Sequence, residues 1–215
     1  MSDIFNFNTI EHFDSHISNS IKGYELLDEL IVSISSFWAK DGEFIIDYGC
    51  TSGRLINRIQ KKYPKCSCIG YDITDHNFIK QSLAKLIKTD ISKNSFSAPK
   101  CNLALSIFTL QFLSHRDRLA LIDKVYQSLN TNGAFVICEK EICSNGLIQE
   151  VFTFSNYDYK RLSFSAEQIL NKERDLRAIM NPLVFGENEK ILTELGFKVY
   201  PFFQSLNFRG WIALK

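Results

Sequence analysis

Short apolar runs that alternate with segments of helical periodicity are the feature of this sequence that most constrains its fold. The clearest run is Glu43-Phe-Ile-Ile-Asp47-Tyr48-Gly49, which is bounded by turns and is typical of a buried parallel strand. Similar runs predict further strands at residues 66–72, 102–107, 134–138, 197–200 and 210–214. Helical periodicity predicts helices at residues 24–38, 54–61, 77–88, 116–129 (closed by a turn at 130–133) and 187–195, and over much of 145–181. This alternation predicts an α/β fold with a parallel sheet and an antiparallel pair of strands at the end of the chain.

The domain organisation follows from length and composition. A chain of 215 residues suits one α/β domain, and the sequence contains no repeat and no linker. Apolar residues make up 45% and charged residues 23%, which is close to the globular average. We expect a single domain over residues 1–215, with residues 1–20 as an N-terminal arm or lid and residues 145–181 as a helical insertion over the site.

Charge and cysteine content argue against several classes of function. The 25 basic and 24 acidic residues give a net charge of +1, whereas nucleic-acid-binding domains usually carry a basic excess, so we expect no direct nucleic-acid binding. The six cysteines form no CxxC pair and have no histidine at zinc-ligand spacing, which predicts reduced thiols, no metal and a cytoplasmic location. Without a signal-peptide core or a membrane-length apolar run, we expect no membrane association.

A glycine-containing loop, Asp47-Tyr48-Gly49-Cys50-Thr51-Ser52-Gly53, follows the first predicted strand and precedes a predicted helix. Glycine tolerates a positive φ and lets the backbone approach a ligand closely. The helix that follows offers free N–H groups and the positive end of its dipole, against which a carboxylate can bind. Such loops are common, so this motif indicates a ligand site without specifying the ligand.

Two acidic residues beyond the loop narrow the choice of ligand. Asp72 ends the second strand, 25 residues after Asp47, where Rossmann-like sites place the carboxylate that binds ribose hydroxyls. Asp90 follows the predicted helix 77–88, where it could bind an adenine amino group with Ile73 and Ile91 packed against the ring. The alternatives are a solvated turn residue for Asp72 and a turn or N-cap residue for Asp90. Since the loop is not GxGxxG, the set fits S-adenosyl-L-methionine better than NAD.

Longer motifs carry a resemblance to one family. They are Gly23-Tyr24, Asp47-Tyr-Gly-Cys, Phe108-Thr-Leu-Gln-Phe-Leu113, Cys138-Glu-Lys140, Asp158-Tyr-Lys-Arg161, Asn207-Phe208 and the stretch from Leu121 to Ala134. From about Phe13 to Lys215 the chain resembles the carboxy-S-adenosyl-L-methionine synthases, which have the class I methyltransferase fold. The resemblance implies a Rossmann-like, mostly parallel seven-stranded sheet with an antiparallel C-terminal strand and helices on both faces.

The resemblance also implies an activity. Members of this family convert S-adenosyl-L-methionine and prephenate to carboxy-S-adenosyl-L-methionine and phenylpyruvate. The product serves a separate carboxymethyltransferase that acts on the wobble uridine of tRNA. The family enzymes are homodimers in which an arginine of one subunit reaches the added carboxylate bound in the other. By resemblance we therefore expect a homodimer with prephenate as its small-molecule substrate.

The family's cofactor contacts can be carried over residue by residue. The resemblance implies that Tyr24 closes over the ligand, that the glycine loop contacts it, and that the two aspartates with their following isoleucines bind ribose and adenine. The implied cofactor-binding residues are Tyr24, Asp47, Gly49, Cys50, Thr51, Asp72, Ile73, Asp90, Ile91 and Ile107. Ile107 stands where the family has an asparagine.

A second departure concerns the carboxylate-binding arginine, whose position is held by Glu173 in this chain. A carboxylate there would repel the carboxylate of the product. Arg174 is the next residue and Arg177 lies one turn on, so we take these two as candidates for the catalytic cation; the alternative is that both are exposed helix charges. The family's tyrosine in this segment is replaced by Phe164.

Two other functions remain open at this point. The chain could be an S-adenosyl-L-methionine-dependent methyltransferase that lost the carboxylate site, with Glu139 or Asp158 as its base, although we favour a structural role for Glu139 as a partner of Lys140. It could also be a non-catalytic subunit that binds the cofactor.

Overall fold

A computed structural model describes residues 13–215. Seven helices are present in this range: α1 (Phe13–Ser20), α2 (Tyr24–Ile34), α3 (Arg54–Lys62), α4 (His115–Ser128), α5 (Gly146–Lys160), α6 (Ala166–Ile179) and α7 (Glu187–Glu194). The strands are β1 (Phe44–Tyr48), β2 (Ser67–Asp72), β3 (Lys85–Lys88), β4 (Cys101–Ile107), β5 (Leu129–Ile142), β6 (Leu183–Val184), β7 (Lys198–Ser205) and β8 (Phe208–Leu214). Two short 3₁₀ helices, Ser35–Phe37 and Leu110–Phe112, complete the regular structure of the described residues.

The strands form one sheet in the order β3-β2-β1-β4-β5-β8-β7, while the two-residue β6 pairs with the end of β5. Strands β1 to β5 are mutually parallel, and β8 runs antiparallel to both β5 and β7. This order confirms the Rossmann-like α/β fold with its antiparallel C-terminal strand, and β6 adds a short strand to the seven predicted.

The core lies on both faces of the sheet. Ile45 and Ile46 are adjacent in β1 and point to opposite faces, as the two-residue repeat of a strand requires. On one face Ile45 packs with the apolar sides of α2 and α3, and on the other Ile46 packs with those of α4 and α7. Both faces are covered, which explains the near-continuous apolar runs of the central strands.

The predicted helix at residues 77–88 is wrong. Residues 77–84 form turns, and Lys85–Lys88 is strand β3, paired in parallel with β2. The backbone N–H of Ile79 donates to the carbonyl of Ser52, and that of Leu83 donates to Asn57 Oδ1, so these groups bond to the glycine loop and α3 instead of to a helical turn. The pairing partner of this segment is distant in sequence, and its helical periodicity was therefore misleading.

The turn predicted at residues 130–133 is also wrong, because these residues belong to the long strand β5. The register with β4 shifts between Cys101 and Leu103, and Asn132 has a φ of +62°. The turn-forming residues therefore mark an irregularity at the start of the strand. Among residues 13–215, no helix combines the length and the apolar character needed to cross a membrane.

Candidate functional site

A cavity of about 310 Å³ opens at the carboxyl ends of the parallel strands, between the loops that follow β1 to β4 and the helices α1 and α6. Open α/β sheets bind ligands at this edge. The structure brings together all ten residues to which the sequence assigns the cofactor, since each of them lines the cavity: Tyr24, Asp47, Gly49, Cys50, Thr51, Asp72, Ile73, Asp90, Ile91 and Ile107.

The glycine loop is shaped by two close approaches. Gly49 has a φ of +84°, and a Cβ at this position would lie 2.2 Å from Thr109 Oγ1. Gly53 has a φ of +78°, and a Cβ there would lie 2.6 Å from the side chain of Leu86. Between them Thr51 adopts a φ of +50°, which is strained for a non-glycine residue. The loop is therefore held close to β4 and β3, with its backbone along the cavity.

Asp72 fixes the loop to the end of β2. Its Oδ2 accepts a hydrogen bond from the Thr51 N–H at 2.9 Å, and its Oδ1 accepts one from the Thr74 N–H at 3.0 Å. Burial raises the pKa of this carboxyl, although the backbone hydrogen bonds oppose the shift. Asp72 is half-buried in the cavity wall, and the alternative of a solvated turn residue does not describe it.

Asp90 forms a turn and also lines the cavity. Its Oδ1 accepts hydrogen bonds from the Ser92 N–H at 3.0 Å and from the Ser92 hydroxyl at 2.6 Å, which closes a turn and lowers the pKa of the carboxyl. It also lines the cavity beside the buried Ile91. It follows strand β3, not a helix, and so stands at the same sheet edge as Asp72.

Asp47 and Cys50 are both buried in the wall of the site, with 3% and 8% of their surface exposed. Burial raises the pKa of Asp47 to about 8, and the charges of Asp72 and Asp28 add to the shift. Burial also raises the pKa of the Cys50 thiol, which suits packing and does not suit nucleophilic attack.

An aromatic wall, formed by Tyr24, Phe108 and Phe208, crosses the cavity. The ring centroids of Tyr24 and Phe108 lie 6.4 Å apart, and those of Phe108 and Phe208 lie 5.6 Å apart in an edge-to-face arrangement. Phe108 has a φ of +57°, an unusual value for a bulky residue that is more often found at functional sites. Phe108 and Phe208 were missed as site residues, although both belong to motifs that carry the family resemblance.

A cluster of charges, the lysine end, closes the opposite side of the cavity. It consists of Lys140 on β5, Lys160 on α5, and Lys172 and Glu173 on α6, all of which line the cavity. Lys160 Nζ donates to Glu173 Oε1 at 2.8 Å, and Lys140 Nζ lies 3.9 Å from Glu173 Oε2. Burial opposes ionisation of Glu173, but the nearby lysines outweigh it and lower its pKa. Burial lowers the pKa of Lys172 to about 8.

The lysine end was not predicted as a site. Lys140, Lys160 and the adjacent pair Lys172 and Glu173 are separated from one another in sequence, and only the tertiary fold brings them together. The two candidates for the catalytic cation, Arg174 and Arg177, are both exposed and are not among the cavity-lining residues. Arg177 lies close enough to Glu173 to influence its pKa, whereas Arg174 lies 3.5 Å from the Asn171 side chain.

Glu139 has a structural role, as we favoured, but with other partners than Lys140. Its two carboxyl oxygens accept hydrogen bonds from the backbone N–H groups of Leu110 and Gln111 at 2.9 and 2.8 Å. It thereby holds the short 3₁₀ helix that follows Phe108. Burial raises its pKa to about 8, with Arg118 acting in the opposite direction. Asp158 is exposed and does not line the cavity.

Helix α1 covers the cavity from the side of the glycine loop. Asp14 accepts a hydrogen bond from the Ser52 hydroxyl at 3.0 Å and forms an ion pair with Arg54. The Tyr159 hydroxyl donates to the Ser18 carbonyl at 2.7 Å, and His16 contacts Lys172. The helix is therefore tied both to the loop and to the helices α5 and α6. Within residues 13–215, no group of three or more His, Cys, Asp or Glu side chains is arranged to hold a metal.

The fold and the cavity define a class I methyltransferase-type domain, and comparison with known proteins supports this class. A methyltransferase domain family matches residues 45–133. The solved plantazolicin methyltransferase BpumL superposes on 94% of the chain and 87% of its own with a TM-score of 0.66 at 14% identity. Human N-acetylserotonin methyltransferase superposes on 87% of the chain and 51% of its own with a TM-score of 0.58 at 14% identity.

Curated relatives identify one family within this class. The carboxy-S-adenosyl-L-methionine synthase of Wolinella succinogenes is 30% identical over 94% of this chain and 89% of its own length. That of Staphylococcus epidermidis is 27% identical over 96% and 94%. The chain belongs to the carboxy-S-adenosyl-L-methionine synthase family, and hence to an enzyme family of the S-adenosyl-L-methionine-dependent transferases.

Proposed function

We propose that this protein is a carboxy-S-adenosyl-L-methionine synthase that uses S-adenosyl-L-methionine and prephenate. The observation that carries the proposal is the make-up of the cavity. One side offers a glycine loop and two strand-end carboxylates, which suit an adenosyl ligand, and the other offers the lysine end, which suits carboxylates. A methyltransferase that acts on a neutral acceptor would have no need for buried lysines opposite its cofactor.

The adenosyl ligand would lie across the sheet edge. Asp72 would accept hydrogen bonds from the ribose hydroxyls, and Asp90 would face the adenine, packed between Ile73 and Ile91. The methionine end would lie along the glycine loop beneath Tyr24. The sulfonium would then face the aromatic wall, because cations bind favourably to aromatic faces.

The chemistry transfers carbon dioxide to the methyl carbon of the sulfonium. Prephenate loses carbon dioxide and its ring hydroxyl to form the aromatic ring of phenylpyruvate, and the hydroxyl leaves as water with a proton taken from the methyl group. The ylide carbon so formed makes the new bond to carbon dioxide. A closed cavity holds both partners together and keeps water from the ylide, and α1 and the aromatic wall support such enclosure.

A homodimer is part of the proposal. The outer face of α5 exposes a stripe of apolar side chains at helical spacing, with Leu147, Val151 and Phe154 exposed by 70%, 48% and 64%. Contiguous exposed apolar surface is typical of protein–protein contacts. We assign this stripe to the contact with a second copy, through which Arg174 or Arg177 of the partner copy would approach the product carboxylate.

The remaining expectations stay part of this proposal. The product would serve a separate carboxymethyltransferase that acts on tRNA, so the chain itself would not bind nucleic acid. The six cysteines are free thiols, which is consistent with a reducing cytoplasm. Residues 1–20 would act as the lid and residues 145–181 as the insertion of a single domain; residues 13–20 of the lid form α1, and residues 1–12 lie outside the described residues.

A methyltransferase is the second candidate, and Glu173 favours it. The position that the family gives to a carboxylate-binding arginine here carries a buried acid that lines the cavity. Such an exchange would fit an enzyme that no longer binds the added carboxylate.

Mass spectrometry separates the two candidates. The protein is incubated with S-adenosyl-L-methionine and prephenate, and small molecules are then measured after denaturation. We expect carboxy-S-adenosyl-L-methionine and phenylpyruvate in equal amounts, formed only when both substrates are present. Bound S-adenosyl-L-methionine without either product would overturn the proposal and favour the methyltransferase or a non-catalytic cofactor-binding subunit.

A further inference from the structure

The lysine end contains more positive charge than Glu173 neutralises. Lys160 is almost fully covered, with 7% of its side chain exposed, and its ammonium is hydrogen-bonded to Glu173. The ammonium of Lys140 lies 3.9 Å from the same carboxyl, beyond hydrogen-bonding distance, and 23% of its side chain is exposed. Three lysines share one glutamate, so positive charge is left over. Lys160 is hydrogen-bonded to Glu173 and Lys172 contacts His16, whereas Lys140 lines the cavity with donors that are not hydrogen-bonded to Glu173.

Lys140 is also held rigidly toward the site. Its backbone pairs with Phe208 of β8, and its N–H donates to Gln111 Oε1 at 2.9 Å. Phe208 belongs to the aromatic wall, and its ring packs on Phe108. On the other side Phe108 precedes Thr109, against which Gly49 is packed. Lys140 is therefore separated from the glycine loop by the width of the aromatic wall, within the same cavity.

We infer that Lys140 is the residue of this chain that binds the added carboxylate of carboxy-S-adenosyl-L-methionine, and that Glu173 is a positioning residue that pairs with Lys160 and keeps Lys140 available. This inference rests on the proposed function. It assigns to a lysine of the same subunit the contact that the family gives to an arginine, and Arg174 or Arg177 of the partner copy would add positive charge near the same carboxylate. A partly buried ammonium repels the sulfonium of S-adenosyl-L-methionine and attracts the carboxylated product, so Lys140 also determines which of the two binds more tightly.

The test compares the dissociation constants of S-adenosyl-L-methionine and carboxy-S-adenosyl-L-methionine by titration calorimetry, with S-adenosylhomocysteine as a ligand that lacks both the methyl group and the charge on sulfur. Lys140→Gln should reduce the preference for the carboxylated ligand by about tenfold or more, the range expected for loss of a hydrogen bond to a charged group. Affinity for S-adenosylhomocysteine should change less than about twofold, which also shows that the variant is folded. Lys140→Arg should keep the preference.

Glu173→Gln should change the preference for the carboxylated ligand in the opposite direction to Lys140→Gln. Removing this negative charge leaves Lys160 as a further unneutralised cation, so the preference for the carboxylated ligand should increase. Lys198→Gln, at an exposed position on β7, serves as the matched control and should leave all three constants unchanged. A merely structural role for Lys140 or Glu173 would alter the three affinities together, not their ratio.

The outcomes are distinct. If the unmodified protein forms carboxy-S-adenosyl-L-methionine from prephenate and Lys140→Gln retains the full preference, the inference is wrong and the proposed function stands. If the unmodified protein neither forms this product nor prefers it to S-adenosyl-L-methionine, the proposed function fails and the inference fails with it.

Discussion

Gly49 is the described glycine at which an added side chain would have least room. A Cβ would meet Thr109 Oγ1 at 2.2 Å, and the φ of +84° is itself unfavourable for alanine. Gly49→Ala should lower the free energy of unfolding by about 1–3 kcal/mol and weaken S-adenosylhomocysteine binding, measured by urea denaturation and calorimetry. Gly186→Ala is the matched control, because its φ is +91° and nothing lies within 4 Å of the added Cβ. Equal losses in the two variants would contradict steric crowding as the cause.

The raised pKa of the Asp47 carboxyl predicts that the stability of the protein depends on pH. Burial raises the pKa of its carboxyl to about 8, above the value of about 4 in an unfolded chain, so the folded state binds this proton more tightly. The stability that Asp47 contributes is therefore fully present below about pH 4 and is lost as the pH rises through about 8.

The comparison with Asp47→Asn tests this dependence, since asparagine does not ionise. Between about pH 5 and about pH 8 the free energy of unfolding of the unmodified protein should fall relative to the variant, by at most about 1.4 kcal/mol per pH unit. Urea denaturation at several pH values measures it. Asp158→Asn, at an exposed position, should show no such trend. A constant difference between Asp47→Asn and the unmodified protein would show that the carboxyl does not titrate in this range.

Helix α1 lines the cavity, and we expect its attachment to control access to the site. The Tyr159 hydroxyl joins it to α5 through the Ser18 carbonyl, and α1 contributes His16 and Ile17 to the lining. Tyr159→Phe removes this hydrogen bond, which is worth about 1 kcal/mol, so hydrogen exchange across residues 13–20 and ligand dissociation should both become roughly fivefold faster. Tyr200→Phe, at an exposed position on β7, should change neither rate. Faster exchange without faster dissociation would mean that α1 does not limit ligand release.

The apolar stripe on α5 concerns the oligomeric state of the whole molecule. If it forms the contact between two copies, Phe154→Asp should raise the dimer dissociation constant by at least about tenfold, because a carboxylate would be buried in the interface. Sedimentation equilibrium measures this constant. Phe37→Asp is a suitable control, since Phe37 is 74% exposed and lies on the 3₁₀ helix after α2. An unmodified protein that is monomeric at all concentrations would contradict the assignment.

Local patterns in the sequence determined much of the fold. The central strands are buried on both faces, so their apolar runs are continuous and easily recognised, and the glycine loop between β1 and α3 has a motif of its own. Residues 77–88 were misassigned because β3 is a short edge strand with lysines at both ends, and its state is set by pairing with β2. Such pairing is a long-range interaction that a local periodicity does not contain.

The candidate site also has one part that local sequence patterns predict and one part that only the tertiary structure assembles. The sequence by itself grouped Asp47, Gly49 and Asp72, because these residues lie at strand ends that meet in a parallel sheet. Asp90 was expected after a helix, and only the structure placed it after strand β3. Only the tertiary structure decided the lysine end. Lys140 and Lys160 come from different elements, and no spacing relates them to Glu173; they meet because α5 and α6 fold back over the end of β5. Whether a buried glutamate repels a ligand depends on the cations packed around it, and that packing is a property of the folded chain.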